Sequence, residues 1–211
     1  LFFGKLAKIP SDNIPYPIFS YAALVAWIYF STVVSTSGNS IVADGNLISK
    51  VYFPRLILPL APALSSLVDF CLAFTVLIAM MFYYDIFPTI KIILLPPLII
   101  LMIFTATGTG LFLSALNAKY RDVRYVIPFC VQFWMFCTPI VYPTSLVPEQ
   151  YRIIYAINPM VGIIEGFRSA LLDTSEFPTQ LVLISFTSST IIFVLGSFYY
   201  KQMERYFADV I

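Results

Sequence analysis

Side chains able to do chemistry are few in this sequence, and they fall into short clusters. The densest is Asn117 to Tyr125, NAKYRDVRY, where Lys119, Arg121, Asp122 and Arg124 stand together between two long apolar runs. Ser37 to Pro59 carries Asp44, Asn46, Lys50 and Arg55, while Asp69 sits alone in apolar surroundings and Glu165 and Arg168 lie three residues apart. Such groups ion-pair, hydrogen-bond and dock partners. The absence of histidine removes imidazole acid/base catalysis, imidazole metal ligation and histidine proton relays. Cys71, Cys130 and Cys137 all lie in apolar runs with no metal-ligand spacing, so they read as packing residues and neither metal nor cofactor is expected. The only Gly-Lys pair is Gly4-Lys5, outside any phosphate-binding loop pattern, so no ATPase activity is expected of the chain itself.

The elements that must position these groups are membrane helices. With 60% hydrophobic and 11% charged residues and a mean hydropathy of +0.89, the chain lacks the charged surface a soluble globule of this size needs. A net charge of +1 argues against nucleic acid as a partner, because phosphate binding calls for a clustered basic excess. Runs of about 20 apolar residues suffice to cross a bilayer as helix. Five such spans are expected, at about 17–36, 60–83, 90–116, 126–142 and 179–199, within a single transmembrane domain over 1–211. The runs are continuous and lack the alternation of barrel strands, so the fold class is all-α and polytopic.

Lysine and arginine choose the orientation. One set of connections carries Lys50, Arg55, Lys119, Arg121, Arg124, Lys201 and Arg205; the other carries Lys5, Lys8, Lys91, Arg152 and Arg168. The first set is the larger and lies nearer the span ends, which places NAKYRDVRY and the C-terminus in the cytoplasm. On the other side, 143–178 holds two short, charge-bearing segments bounded by prolines, expected as a re-entrant or interfacial helical hairpin above a cavity.

The connection 37–59 is too polar to cross a membrane, and its middle can form a short amphipathic helix with Ile41, Val42, Leu47, Ile48 and Val51 on one side and Asp44, Asn46 and Lys50 on the other. It either rests on lipid headgroups or docks a partner. Asp69 must face protein or water, through a helix-to-helix hydrogen bond to Ser65, Ser66 or a neighbouring span, or as a proton or gate site. Tyr125, Phe129, Phe133 and Phe136 form one aromatic stripe, with Trp134 and Tyr142 off it, which is packing surface, lipid-facing surface or pore lining. Thr107 to Gly110, TGTG, and the pair Gly162 and Gly166 are places where helices approach closely. Glu165 and Arg168 pair as surface charges or, if buried, as part of a gate.

The stretches NSIVADGNLISKVYFPRLILPLAPALSSLVDF and ALNAKYRDVRYVIPFCVQFWMFCTPIVYPTSLVPEQYRIIYAINPMVGIIEGFRSALL resemble, in order and spacing, the membrane subunit of type-2 ATP-binding-cassette exporters. The likeness is strongest to permeases for O-antigen, teichoic acid and related polysaccharides. That family has six spans behind an amphipathic cytoplasmic helix, so the sequence resembles a member without that helix and the first span. The resemblance implies a half-transporter of the bacterial inner membrane that pairs with a second copy and with a separate ATP-binding subunit, and that moves a lipid-linked polysaccharide or polyol-phosphate polymer through the lipid bilayer. It implies ATPase coupling through Asp44, Asn46, Lys50, Arg55, Arg121 and Asp122, and a translocation path at Phe133, Phe136 and Tyr142. Asp69, Glu165 and Arg168 are the gate or packing candidates. A type-2 permease for a drug, lipid or other small molecule is the alternative, and an ion-coupled secondary transporter a further one.

Overall fold

The computed structural model describes residues 14–45, 53–87, 89–120, 122–173 and 177–204, and every regular element among them is helical. In chain order these are α1 (Tyr16–Ala43), α2 (Ile57–Tyr83), α3 (Leu95–Lys119) behind a 3-10 turn at Ile90–Leu94, α4 (Val123–Phe136), a 3-10 turn at Thr144–Leu146, α5 (Glu149–Tyr155), α6 (Pro159–Leu172) and α7 (Thr179–Met203). Proline opens several of them: Pro17, Pro96 and Pro159 occupy the first turns of α1, α3 and α6, where a missing N–H costs nothing.

Four of these helices are long and apolar enough to cross a membrane: α1, α2, α3 with its 3-10 lead-in, and α7. The first span, expected at 17–36, continues to Ala43. Its extension is held by packing: the Ser37 hydroxyl donates to the Pro59 carbonyl at 2.6 Å, and a Cβ on Gly38 would stand 2.9 Å from Ile127 Cδ1. Ile41, expected on the apolar face of a free amphipathic helix, is instead fully buried in a cluster with Leu111, Ala115, Ala118 and Tyr200. The remainder of that expected helix, including Leu47, Ile48 and Val51, lies outside the described residues.

The span expected at 126–142 also differs. Helix α4 stops at Phe136, and its 14 residues reach about 21 Å at 1.5 Å per residue, against a hydrocarbon core of about 30 Å. Pro139 follows two residues after the C-cap Cys137, and Asn158 Nδ2 donates to the Cys137 carbonyl at 3.0 Å, so the chain turns where the helix would have continued. The second segment of the expected hairpin, α6, is no surface element. All its residues except Glu165 are buried, and it packs on α1, α3 and α7.

Helix α1 is the hub, touching α2, α3, α4 and α6. On the far side of α3, α7 approaches closely. A Cβ on Gly196 would collide with the Gly108 carbonyl, one on Gly108 would stand 2.5 Å from Phe193 Cα, and the Thr105 and Ser189 hydroxyls share a 2.7 Å hydrogen bond. In hydrocarbon, backbone proximity and such hydroxyl pairs replace the hydrophobic drive of a soluble core. Gly196→Ala is therefore expected to destabilise the α3–α7 pair by about 1–3 kcal/mol, the usual range for overpacking, read as a lowered unfolding midpoint in detergent.

Candidate functional site

The charged residues collect at the two ends of the bundle, and one carboxylate stands between them. At one end, α1 and α3 finish beside the start of α4. Asn117 is fully buried there and ties them together, its Nδ2 donating to the Gly38 carbonyl at 3.0 Å and to Asn39 Oδ1 at 3.1 Å. Lys119 lies over the Tyr120 ring at 5.1 Å and Arg124 over the Tyr125 ring at 4.8 Å, and neither cation has a carboxylate partner among the described residues. Asn39, Val42, Ala43, Arg124 and Tyr125 line a cleft of about 410 Å³. Asp44 and Asp122 are exposed and make no side-chain bond among the described residues. Asn46, Lys50 and Arg121, expected with them, lie outside the described residues.

Arg55, expected among the coupling residues, is engaged within the chain. Its guanidinium donates to the Glu204 carbonyl at 2.9 Å, and its own carbonyl accepts the Tyr200 hydroxyl at 2.9 Å, so it locks the start of α2 to the end of α7. The side chain faces inward because α7 leaves terminal carbonyls unsatisfied just where a cation suits the helix dipole.

Asp69 is a correction. Neither Ser65, Ser66 nor another span accepts it: Ser65 donates to the Pro62 carbonyl, and the Asp69 carboxyl is exposed with no hydrogen bond among the described residues. It stands twelve residues into the 27-residue α2, near mid-depth, where facing lipid would cost at least about 2.5 kcal/mol.

The opposite end is a dense polar knot. Arg168 is fully buried on α6. It donates to the Ile140 carbonyl at 2.7 Å, the Phe19 carbonyl at 3.3 Å and Glu165 Oε1 at 3.2 Å, and its guanidinium lies 3.7 Å from the Phe19 ring centre. Five donors in a rigid fork suit this mixture of acceptors. Glu165 Oε1 also accepts the Thr144 N–H at 3.4 Å, so one ion pair joins α1, α6 and the turn after α4. The Tyr142 hydroxyl pairs with that of Tyr155 at 2.7 Å, and burial followed by this bond pushes the Tyr155 hydroxyl far above its ordinary pKa.

Sequence reasoning missed Asn158 and Trp134. Asn158 Oδ1 caps α6 at the Met160 N–H and accepts Trp134 Nε1 at 2.9 Å, while its Nδ2 holds the Cys137 carbonyl and the Thr138 hydroxyl. Asn before Pro159 was the available signal, a capping residue ahead of a first-turn proline. Phe133 and Phe136 share the exposed face of α4 with Tyr125 and Phe129, but Tyr142 does not join them, since its half-buried side chain belongs to the knot.

A family model described as ABC-2 type transporter matches residues 1–172. The chain is 26% identical over 200 residues to the O-antigen export system permease protein RfbA of Myxococcus xanthus, covering 92% of this chain and 76% of that protein. It is also 26% identical over 198 residues to an RfbA permease of Klebsiella pneumoniae, with 93% and 76% covered. To the polysialic acid transport protein KpsM of Escherichia coli it is 22% identical over 209 residues, with 96% and 79% covered.

Two outcomes follow from this geometry. Arg168→Met strands Glu165 and the Phe19, Ile140 and Tyr142 carbonyls, and a loss of about 3–5 kcal/mol is expected for breaking a buried pair, read as a collapse of the folded fraction in detergent, with Arg168→Lys recovering only part. Near the same end, Lys91 donates to Asp173 at 2.5 Å and, with a smaller share from Thr89, holds that exposed carboxyl below its ordinary range. A lowered folded pKa stabilises above the ordinary carboxylate range and is lost as pH falls through the lowered value. Acidification should therefore narrow the difference in unfolding midpoint between the parent and Lys91→Ala until the two coincide.

Proposed function

The chain belongs to the ABC-2 type transporter family, and from that premise we propose that it is the membrane-embedded half of an ATP-driven exporter of polysaccharide. It works as a single transmembrane domain, pairs with a second copy and takes its ATP hydrolysis from a separate subunit. The observation that carries the substrate class is that relatives aligned along 92% to 96% of the chain are named for O-antigen export or polysialic acid transport, both sugar polymers. The polymer is carried on a lipid, and the protein sits in the bacterial inner membrane with the Lys119 and Arg124 end and the C-terminus in the cytoplasm, following the basic excess there.

In this reading the ATP-binding subunit grips the connection between α1 and α2. Asp44 and Asp122 are its contacts among the described residues, with Asn46, Lys50 and Arg121 beside them in sequence. Movement of that connection passes directly into α1, because α1 runs unbroken to Ala43 and is the helix on which α2, α3, α4 and α6 all pack. Arg55 contributes by coupling α2 to α7. Phe133 and Phe136 offer ring faces to the polymer, since aromatic rings pack against the CH faces of sugars while making few strong hydrogen bonds. The knot of Glu165 and Arg168 is the fixed frame of the far end.

The test is affinity purification of the intact protein from its own membranes. An ATP-binding subunit should co-purify, and Asp44→Lys combined with Asp122→Lys should reduce its recovery severalfold with unchanged membrane levels, because both side chains are exposed and unbonded among the described residues. Recovery equal to the parent would remove the docking assignment, and purification with no ATP-binding subunit would remove the exporter reading.

A further inference from the structure

Buried apolar side chains form two separate clusters among the described residues. The larger fills the bundle. The smaller gathers at the Lys119 and Arg124 end, where Ile41 of α1, Leu111, Ala115 and Ala118 of α3 and Tyr200 of α7 meet, with Leu58 and Leu60 of α2 packed against them. All four spanning helices contribute to it. Tyr200 is fully buried, its ring filling the cluster and its hydroxyl serving as a polar handle. That hydroxyl donates to the Arg55 carbonyl at 2.9 Å across 145 residues, and the Arg55 guanidinium returns a bond to the Glu204 carbonyl at 2.9 Å. The Arg55 carbonyl already accepts the Leu58 N–H at 3.2 Å, so the tyrosine adds a link between helices to an acceptor that is otherwise satisfied.

These contacts grip the connection between α1 and α2 at both of its ends. Ile41 enters the cluster just before α1 finishes, and Arg55 and Leu58 join it where the chain returns as α2. The Ser37 hydroxyl, donating to the Pro59 carbonyl at 2.6 Å, ties the two helices directly. Helix α7, last in sequence, is thus fastened to the place where the connection leaves and re-enters the bundle. Its first half is fastened elsewhere. Ser185 Oγ accepts the Gly162 N–H of α6 at 3.0 Å, a Cβ on Gly162 would collide with Ser185, and the Ser189 hydroxyl shares its 2.7 Å bond with Thr105 of α3. A helix held on one half and gripped at the other end transmits movement by small shifts against its neighbours.

We propose that Tyr200 is a positioning residue for energy coupling: with Arg55, it makes the cytoplasmic end of α7 move with the α1–α2 connection, while the first half of α7 stays on α6. The source of the drive, an ATP-binding subunit acting on that connection, rests on the reading above; the attachment rests on burial and hydrogen bonding. Tyr200→Phe isolates it. The ring keeps its place among the apolar side chains, and the Arg55 carbonyl keeps Leu58, so the link is cut without stranding a buried acceptor.

The test uses the intact transporter with its ATP-binding subunit in lipid nanodiscs, with Cys71, Cys130 and Cys137 replaced by alanine and a nitroxide spin label on a single cysteine at Leu56, Lys201 or Leu183. All three positions are exposed: Leu56 reports the start of α2, Lys201 the cytoplasmic end of α7 and Leu183 its first half. The trigger is ATP with vanadate. It should change label mobility at Leu56 and Lys201 and leave Leu183 as it was. Tyr200→Phe should keep the Leu56 response and lower the Lys201 response about fivefold, the bias one hydrogen bond gives a two-state equilibrium. ATP hydrolysis should continue in that variant while surface polysaccharide falls. Ser189→Ala, which removes a hydrogen bond from the middle of α7, is the structural control and should keep the Lys201 response. An unchanged Lys201 response in Tyr200→Phe would overturn the proposal. So would an equal loss in Ser189→Ala, or a loss at Leu56 as well, since either would make Tyr200 a residue that only holds the fold. Surface polysaccharide in a strain lacking the protein separates the two readings. Its persistence, with Tyr200→Phe still silencing Lys201, defeats polysaccharide export alone; its loss, with Lys201 responding as in the parent, defeats the link alone.

Discussion

Hydrocarbon returns no hydrogen bonds, and most of this structure is a response to that constraint. Polar atoms inside the bundle are mostly matched by other parts of the same chain, Ser20 Oγ and Asn117 Oδ1 being buried exceptions among the described residues. Thr105, Thr107 and Thr109 donate to carbonyls one turn back, Asn117 fastens α3 to α1, and Asn158 collects three donors and acceptors from the end of α4. Arg168 is the extreme case, a fully buried charge surrounded by carbonyls, one carboxylate and a ring. Its cost is offset only because α1, α6 and the turn after α4 all deliver an acceptor to one place.

The same constraint gives meaning to what is left unmatched. Asp69 on α2 opens outward with no side-chain hydrogen bond among the described residues. The two ends of the bundle contrast: the hairpin end gathers Arg168, Glu165 and Asn158 into internal hydrogen bonds, while the end with Lys119 and Arg124 shows cations stacked on tyrosines and, among the described residues, acids without partners.

Much of the fold was legible in order and kind. Five apolar spans and a two-helix return segment follow from run length, because the thickness of a bilayer sets a length that residues can be counted against; four of the five are long helices, and the run at 126–142 holds only the short α4. Boundaries were less legible. Ser37 to Ala43 reads as the start of a polar connection, yet it remains helix since Ser37 and Gly38 are contacts to α2 and α4, and α4 ends early because an asparagine 21 residues away takes its C-cap carbonyl. Such contacts have no signature in local composition.

The candidate site divides the same way. By itself the sequence determined that this is a helical membrane protein, that its charges are confined to a few clusters, and that it has no histidine, because hydropathy and the side-chain inventory are properties of the chain. Tertiary structure decided which charges are spent and which are free: Arg55 and Arg168 are committed inside, while Asp44, Asp69 and Asp122 are not. It also decided that Ser37 of α1 is buried against α2 while Ser31 and Thr36 bond to their own helix. The physical reason is that a side chain's role in a membrane depends on what lies across from it, and that is fixed only when α2 and α4 close on either side of α1.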